Sequence, residues 1–220
     1  MKKLLFWMVL IVGIVALIGS CAKKDDSTAA TAAADNTTST TSYISTTTTA
    51  SGSITMGDDT LSGVYASECL TSASTIAYFK ATGFWASEVN AYGQVFVVTG
   101  SDNISIELYA FTDTSCSNLS QSQKTVSDNV TFGSASGSNY PVTYNDQTKA
   151  LTVHTTAAET ALETLYSNAL DFIVGTPIEL PVSGSGLRYG LWTLSGTTWY
   201  EASSSSATPT SAGTVPHVKQ

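Results

Sequence analysis

The sequence predicts a mainly β fold: an antiparallel β-barrel or a β-sandwich with one inserted α-helix. Across residues 58–203, short segments rich in Tyr, Val, Thr and Phe are separated by clusters of Gly, Ser, Asn and Asp. These clusters recur at intervals of roughly 8 to 12 residues, a spacing typical of all-β domains. Residues 103–112 are the clearest strand, because Ile106 and Leu108 belong to an apolar face and Glu107 to the opposite one.

Other segments with strand character complete the prediction. They are residues 61–69, 75–82, 94–99, 124–132, 140–144, 150–155, 187–194 and 197–202. Turn-forming residues at 99–103, 145–148 and 195–196 connect neighbouring segments, so most of the order is an antiparallel meander. Such strands close into a barrel or split into a sandwich, since an open sheet leaves unpaired edges.

The single predicted helix covers residues 157–171. This stretch lacks Gly and Pro, and its apolar residues, including Ala158, Leu162 and Leu165, recur at helical spacing. Thr155 or Thr156 can cap it. We expect the helix to pack across a sheet face or to plug one end of a barrel.

The amino-terminal residues have the character of an export signal. Two lysines after Met1 precede the apolar run 4–18, which ends in Ile18-Gly19-Ser20-Cys21. The run spans roughly 22 Å as a helix, less than the roughly 30 Å hydrocarbon core, which favours a cleaved signal over the alternative, a retained membrane anchor. The segment resembles the signal peptide and lipobox of bacterial lipoproteins. The resemblance implies that residues 1–20 are removed and that Cys21, acylated by palmitate or a similar chain, anchors the protein to a membrane.

The residues after Cys21 indicate a cellular location and a flexible spacer. Ala22 and the run Lys24-Asp25-Asp26 resemble sorting signals of outer-membrane lipoproteins, which implies an outer-membrane location in a bacterial cell envelope, on the periplasmic or the surface face. Residues 21–57 are rich in Thr, Ser and Ala, so we expect a flexible tether there. Residues 204–220 are predicted to be a disordered tail.

Cys69 and Cys116 are the cysteines that remain after acylation of Cys21. In an exported domain they are expected to form one disulfide. The sequence has no Cys-x-x-Cys and no nearby histidine pair, so no metal site is predicted.

Two cysteine-containing segments carry a family resemblance. Gly63-Val64-Tyr65 is followed by Cys69, and Tyr109 is followed by Asp113 and Cys116. With the closing residues 194–200, they resemble the "G-x-W…C" and "Y-x-D-x-x-C" elements of small lipocalin-like β-barrel domains, although Tyr65 stands where Trp is usual. The resemblance implies an antiparallel barrel with a hydrophobic ligand cavity.

The sequence carries no signature of catalysis. It lacks a Gly-x-Ser-x-Gly elbow, a His-Glu-x-x-His motif, a P-loop and a dinucleotide fingerprint, and it has two histidines, His154 and His217. We therefore expect no enzyme and no cofactor. Nine basic against 17 acidic residues give a net charge of −8, which argues against a nucleic-acid partner.

Non-enzymatic binding is the predicted function. The main hypothesis is a membrane-anchored lipoprotein that binds a small apolar ligand in its barrel, with Phe84, Trp85 and Trp192 as candidate ligand-binding residues. The alternative is a structural or interaction module that binds envelope polymers or another envelope protein through surface loops.

Overall fold

A computed structural model describes residues 42–182 and 184–220. The predicted signal peptide, Cys21 and the first part of the predicted tether lie outside these residues. Within the described part of the chain, no helix combines the length and the apolar character that a membrane crossing requires.

The described residues form eleven strands and two helices. The strands are β1 (Ile54–Met56), β2 (Asp59–Leu61), β3 (Val64–Ala66), β4 (Ala91–Val98), β5 (Ile104–Phe111), β6 (Leu119–Phe132), β7 (Asn139–Val153), β8 (Pro177–Leu180), β9 (Leu187–Ser195), β10 (Thr198–Ser204) and β11 (Pro216–Lys219). The helices are α1 (Ala73–Ala81) and α2 (Thr156–Leu165).

Eight strands form a closed antiparallel barrel. They follow one another in the order β6-β5-β4-β3-β11-β10-β9-β7, and β7 pairs back with β6 to close the ring. β8 is an extra strand that pairs with β7 outside this ring. The predicted mainly β fold is confirmed, and of the two predicted architectures the structure has the barrel, consistent with a lipocalin-like domain.

Apolar clusters close the two ends of the barrel. At one end, the β1–β2 hairpin contributes Ile54, Met56 and Leu61 to a cluster that also contains Trp192 and Trp199. At the other end, both helices pack against the ends of the strands. The interior between these two ends is where a ligand site can form.

Helix α1 replaces the strand predicted at residues 75–82. Thr75, Ile76 and two aromatic residues give this stretch a β-rich composition. However, Ile76 and Phe79 are three residues apart, so they share one helix face, and both are buried beside Trp85. Tertiary packing of this face outweighs the local β propensity.

The second helix forms as predicted but is shorter. The Thr155 hydroxyl caps α2 by accepting a hydrogen bond of 3.1 Å from the Ala158 amide. Ser167 and Asn168 adopt left-handed backbone conformations with φ near +55°, so the helix ends before residue 171. Ala158 and Leu162 pack under the end of the barrel.

The turn predicted at residues 145–148 is instead the middle of one continuous strand, β7. β7 pairs with β6 along most of its length, with β9 through residues 139–145 and with β8 through residues 149–152. Asp146 suggested a turn, but its carboxylate is bonded to Ser127 and Arg188 inside the sheet. A polar residue with such partners does not interrupt a strand.

The carboxyl-terminal residues are ordered, contrary to the predicted disordered tail. β11 pairs with both β3 and β10, so the ring is not continuous without it. His217 is 1% exposed, and its ring nitrogens lie 3.3 Å from the Trp199 carbonyl oxygen and 3.3 Å from the Gln94 side-chain oxygen position. Backbone pairing and this buried histidine order a segment whose composition is polar.

The globular domain also begins before residue 58, so the predicted tether boundary is wrong. Ile44 is buried against Gly93 on the outside of β4, and its amide donates to the Ser67 carbonyl oxygen. Thr46 and Thr48 donate hydrogen bonds to the buried carboxylate of Glu107. Threonine hydroxyls, which suggested a solvated linker, here satisfy a buried charge.

The disulfide between Cys69 and Cys116 is present, as predicted. It joins the segment that follows β3 to the loop between β5 and β6.

Candidate ligand-binding cavity

The barrel encloses a cavity of about 540 Å³. It lies between the apolar cluster at the hairpin end and the two helices, because residues of the middle of the strands and of both helix ends line it. Ligand pockets in proteins have volumes of about 300–1,000 Å³, so the cavity is large enough for one small molecule.

One wall of the cavity is apolar. Strand alternation directs Phe96 of β4 and Ile106 and Leu108 of β5 into the barrel, as the sequence pattern predicted for Ile106. Phe79 of α1 and Phe84, which follows that helix, extend this surface at the helix end. Gln94 is the polar member of the β4 side.

The opposite wall carries charged groups. In a ring of eight strands each strand faces the fourth strand along, so β4 and β5 face β9 and β10. Arg188 of β9 and Glu201 of β10 line this side, together with Asp146 and Lys149 of the adjacent β7. The cavity is therefore amphipathic from one wall to the other.

Asp146 and Arg188 form an ion pair within the charged wall. Arg188 Nε donates to Asp146 Oδ2 at 2.6 Å, and the Ser127 hydroxyl donates to Asp146 Oδ1 at 2.9 Å. Both partners are mostly shielded from solvent, with side-chain exposures of 20% for Arg188 and 8% for Asp146. The charges of Asp146 and Arg188 balance each other, and the hydrogen bond between them fixes the position of the Arg188 guanidinium.

Glu201 is a buried acid without a full set of partners. Its Oε1 atom is buried and makes no hydrogen bond to any residue that the structure describes. Burial raises the pKa of Glu201 to about 7, and the Ser203 hydroxyl opposes that rise. Nearby, burial and then the Glu201 and Asp146 carboxylates raise the pKa of Tyr144, so this phenol stays neutral.

Lys149 lies on β7 beyond the Asp146–Arg188 pair. Its pKa is lowered first by burial and next by the Arg188 charge, and the Asp146 carboxylate opposes this decrease. Its neighbour across the β6–β7 ladder, Thr125, also lines the cavity.

The loop of residues 205–215, between β10 and β11, covers part of the cavity. Every residue from 207 to 215 lines the cavity, and several of these residues are exposed on their other side. The loop therefore forms a thin wall between the cavity and solvent.

The three predicted ligand-binding residues occupy different environments. Phe84 lines the cavity. Trp85 is 2% exposed and packs against Phe79 and Tyr92 near the helix end, whereas Trp192 is fully buried in the cluster at the hairpin end. Neither tryptophan is among the residues that line the cavity.

His154 has one polar neighbour near the barrel rim. Its Nε2 lies 3.1 Å from the Ser122 hydroxyl, and burial lowers the pKa of the histidine. Among the described residues, no group of three His, Cys, Asp or Glu side chains is placed to hold a metal ion.

The sequence interpretation missed the charged wall of the cavity. Arg188 lies four residues before Trp192 in β9, and Glu201 lies two residues after Trp199 in β10, so each shares the inward face of a segment correctly predicted as a strand. Charged residues in phase with buried tryptophans were the signal that would have identified them. No protein-family model matches this chain, and a comparison with curated proteins finds no match.

Proposed function

We propose that this chain is a cell-envelope lipoprotein, anchored through Cys21, whose barrel binds a small, largely apolar molecule without converting it. The observation that carries the binding proposal is the cavity of about 540 Å³ inside a closed barrel. The interior of an eight-stranded barrel is only wide enough for packed side chains or one small ligand. Here the middle of the interior is not filled by side chains.

The apolar wall defines the chemistry of this ligand. Phe96, Ile106 and Leu108 form a continuous surface across neighbouring strands, and Phe79 and Phe84 continue it toward the helices. Moving apolar ligand surface from water onto such a wall contributes about 25 cal/mol per Å². A ligand with an aromatic or aliphatic body is therefore expected.

A neutral fluorescent probe tests the binding proposal. We expect N-phenyl-1-naphthylamine to increase its fluorescence on binding to the wild-type domain, and Ile106→Trp to weaken this binding at least tenfold because the new side chain fills the cavity. Ser134→Trp, at an exposed position outside the cavity, is the matched control and should bind the probe like the wild type.

A contrary result would favour the alternative of a surface interaction module. In that case the wild type would not bind the probe. Ile106→Trp would instead overfill a packed interior and lose on the order of 1–3 kcal/mol of stability.

Membrane attachment is tested separately. We expect the wild-type chain, expressed in a bacterium with its own leader, to lose residues 1–20, to gain the mass of acyl chains and to partition into detergent. Cys21→Ala should remain unprocessed. A mature wild-type chain of unacylated mass would refute the anchor and leave the binding proposal intact.

A further inference from the structure

Lys149 is a cation in the cavity without an anionic partner. Within residues 42–182 and 184–220 the structure contains two ion pairs, Lys124–Glu107 and Arg188–Asp146, and Lys149 belongs to neither. Its side chain also makes no hydrogen bond to these residues, although it lines the cavity. An ammonium group that is shielded from solvent and has no anionic partner lowers the stability of the folded protein, unless a bound anion pairs with it.

The two basic groups of the cavity are not equivalent. Asp146 accepts from Arg188 at 2.6 Å and neutralises that guanidinium. Burial together with the Arg188 charge lowers the pKa of Lys149, and the Asp146 carboxylate opposes this decrease. No described residue forms an ion pair with the Lys149 ammonium to stabilise its charge. An incoming anion would do so.

The other titratable groups around the cavity do not cancel this charge. Tyr144 is neutral because its pKa is raised well above its ordinary value, and the pKa of Glu201 is about 7. At pH 7, where Glu201 is only partly ionised, Arg188 and Lys149 face the full charge of Asp146 and part of a charge on Glu201. The cavity then has a net positive charge, although the whole chain has a net charge of −8.

We propose that the ligand is a small amphiphile whose anionic group pairs with Lys149 while its apolar body lies on the β4–β5 wall. This inference rests on the proposed ligand-binding function and adds the class of ligand. The hydroxyl of Thr125, the β6 neighbour of Lys149, lies on the same cavity surface and offers a second donor to the anion. On the other side of Thr125, its β5 partner Ile106 begins the apolar wall, which Leu108 continues, so this wall starts two strands away from Lys149.

A pair of ligands that differ only in the head group tests the inference. Decanoate and 1-decanol have the same ten-carbon chain, and their affinities follow from displacement of N-phenyl-1-naphthylamine at pH 7. We expect the wild type to bind decanoate at least tenfold more tightly than 1-decanol. Lys149→Met should lower the decanoate affinity about tenfold and leave the decanol affinity unchanged, whereas Lys149→Arg should keep the preference.

Lys80→Met is the matched control, because Lys80 lies on α1 but does not line the cavity. It should behave like the wild type. Equal affinities of the wild type for both ligands, or an undiminished preference in a folded Lys149→Met, would overturn the inference while probe binding still supported the proposed function. If Lys149→Met does not fold, the wild-type ratio and the Lys149→Arg variant decide the question.

Discussion

Gly213 lies so close to the backbone of Glu201 that a Cβ atom at position 213 would stand 1.9 Å from the Glu201 carbonyl oxygen. At this point the loop of residues 205–215 packs directly against β10, the strand that carries the acid of the cavity. This packing therefore links the thin wall of the cavity to its charged wall.

Gly213→Ala should displace that loop. A methyl group cannot occupy space already taken by backbone atoms, so we expect a loss of about 1–3 kcal/mol in the free energy of unfolding and weaker binding of N-phenyl-1-naphthylamine. Gly133→Ala is the control, since its Cβ would meet Pro141 at an ordinary contact distance of 3.5 Å. Urea unfolding and probe titration of both variants measure the effect; equal behaviour of the two would contradict it.

Glu201 should make stability fall as pH rises. Burial raises its pKa from 4.5 to about 7, so the folded state holds this proton more tightly than the unfolded state. The stabilising contribution is complete below pH 4.5 and disappears as pH rises through 7, amounting to at most about 3 kcal/mol.

Comparison with Glu201→Gln isolates this contribution. Between about pH 5 and pH 8, the unfolding free energy of the wild type should decrease relative to that of Glu201→Gln as pH rises. The comparison is needed because His217, whose pKa burial lowers to about 4, destabilises the fold in the opposite direction as pH falls below 6.5. A pH-independent difference between the two proteins would show that Glu201 does not titrate in this range.

Glu107 should hold the segment of residues 43–50 on the outside of the barrel. Its carboxylate is 3% exposed and accepts hydrogen bonds from Thr46 and Tyr109, each at 2.5 Å, with Lys124 Nζ 3.9 Å away. Glu107→Ala leaves these donors unpaired, and we expect a loss of about 2–4 kcal/mol. Limited proteolysis should then cut the segment faster than in Glu179→Gln, an exposed glutamate that serves as the control.

Removal of the disulfide should destabilise the domain without changing its architecture. The bond between Cys69 and Cys116 closes a loop across 47 sequence positions, which corresponds to about 4 kcal/mol by chain entropy. Cys69→Ser/Cys116→Ser should therefore melt at a clearly lower temperature while its circular dichroism remains that of a β protein. A wild type whose melting temperature is unaffected by reductant would argue against this contribution.

The sequence predicted those elements whose local pattern and tertiary environment agree. Ile106 and Leu108 alternate with Glu107 in a strand that directs both apolar side chains into the barrel, and Thr155 begins a helix whose Leu162 is buried. Ile76 lies in a segment of β-rich composition, and only its packing with Phe79 and Trp85 makes a helix favourable there. Ring closure by β11 depends on partners far away in the chain, which local patterns do not encode.

The candidate site was predictable only in part, for a related reason. Of the three aromatic candidates named from the sequence, Phe84 lines the cavity. Lys149 and Arg188 were not identified, since a charged residue in a strand is ordinarily solvated, and only the closed ring places these two inside.

The position of β11 in the ring also sets the order in which the fold can be completed. Lys219 on this strand donates a hydrogen bond to Ser62 across 157 positions of the chain. During synthesis from the amino end, the edges of β3 and β10 that pair with β11 stay unpaired until β11, the last strand of the barrel, has been made. A growing chain therefore cannot complete its barrel before residues 216–219 have been synthesised. Until that point the open edges of β3 and β10 can pair with other chains, so misassembly between chains competes with completion of the barrel.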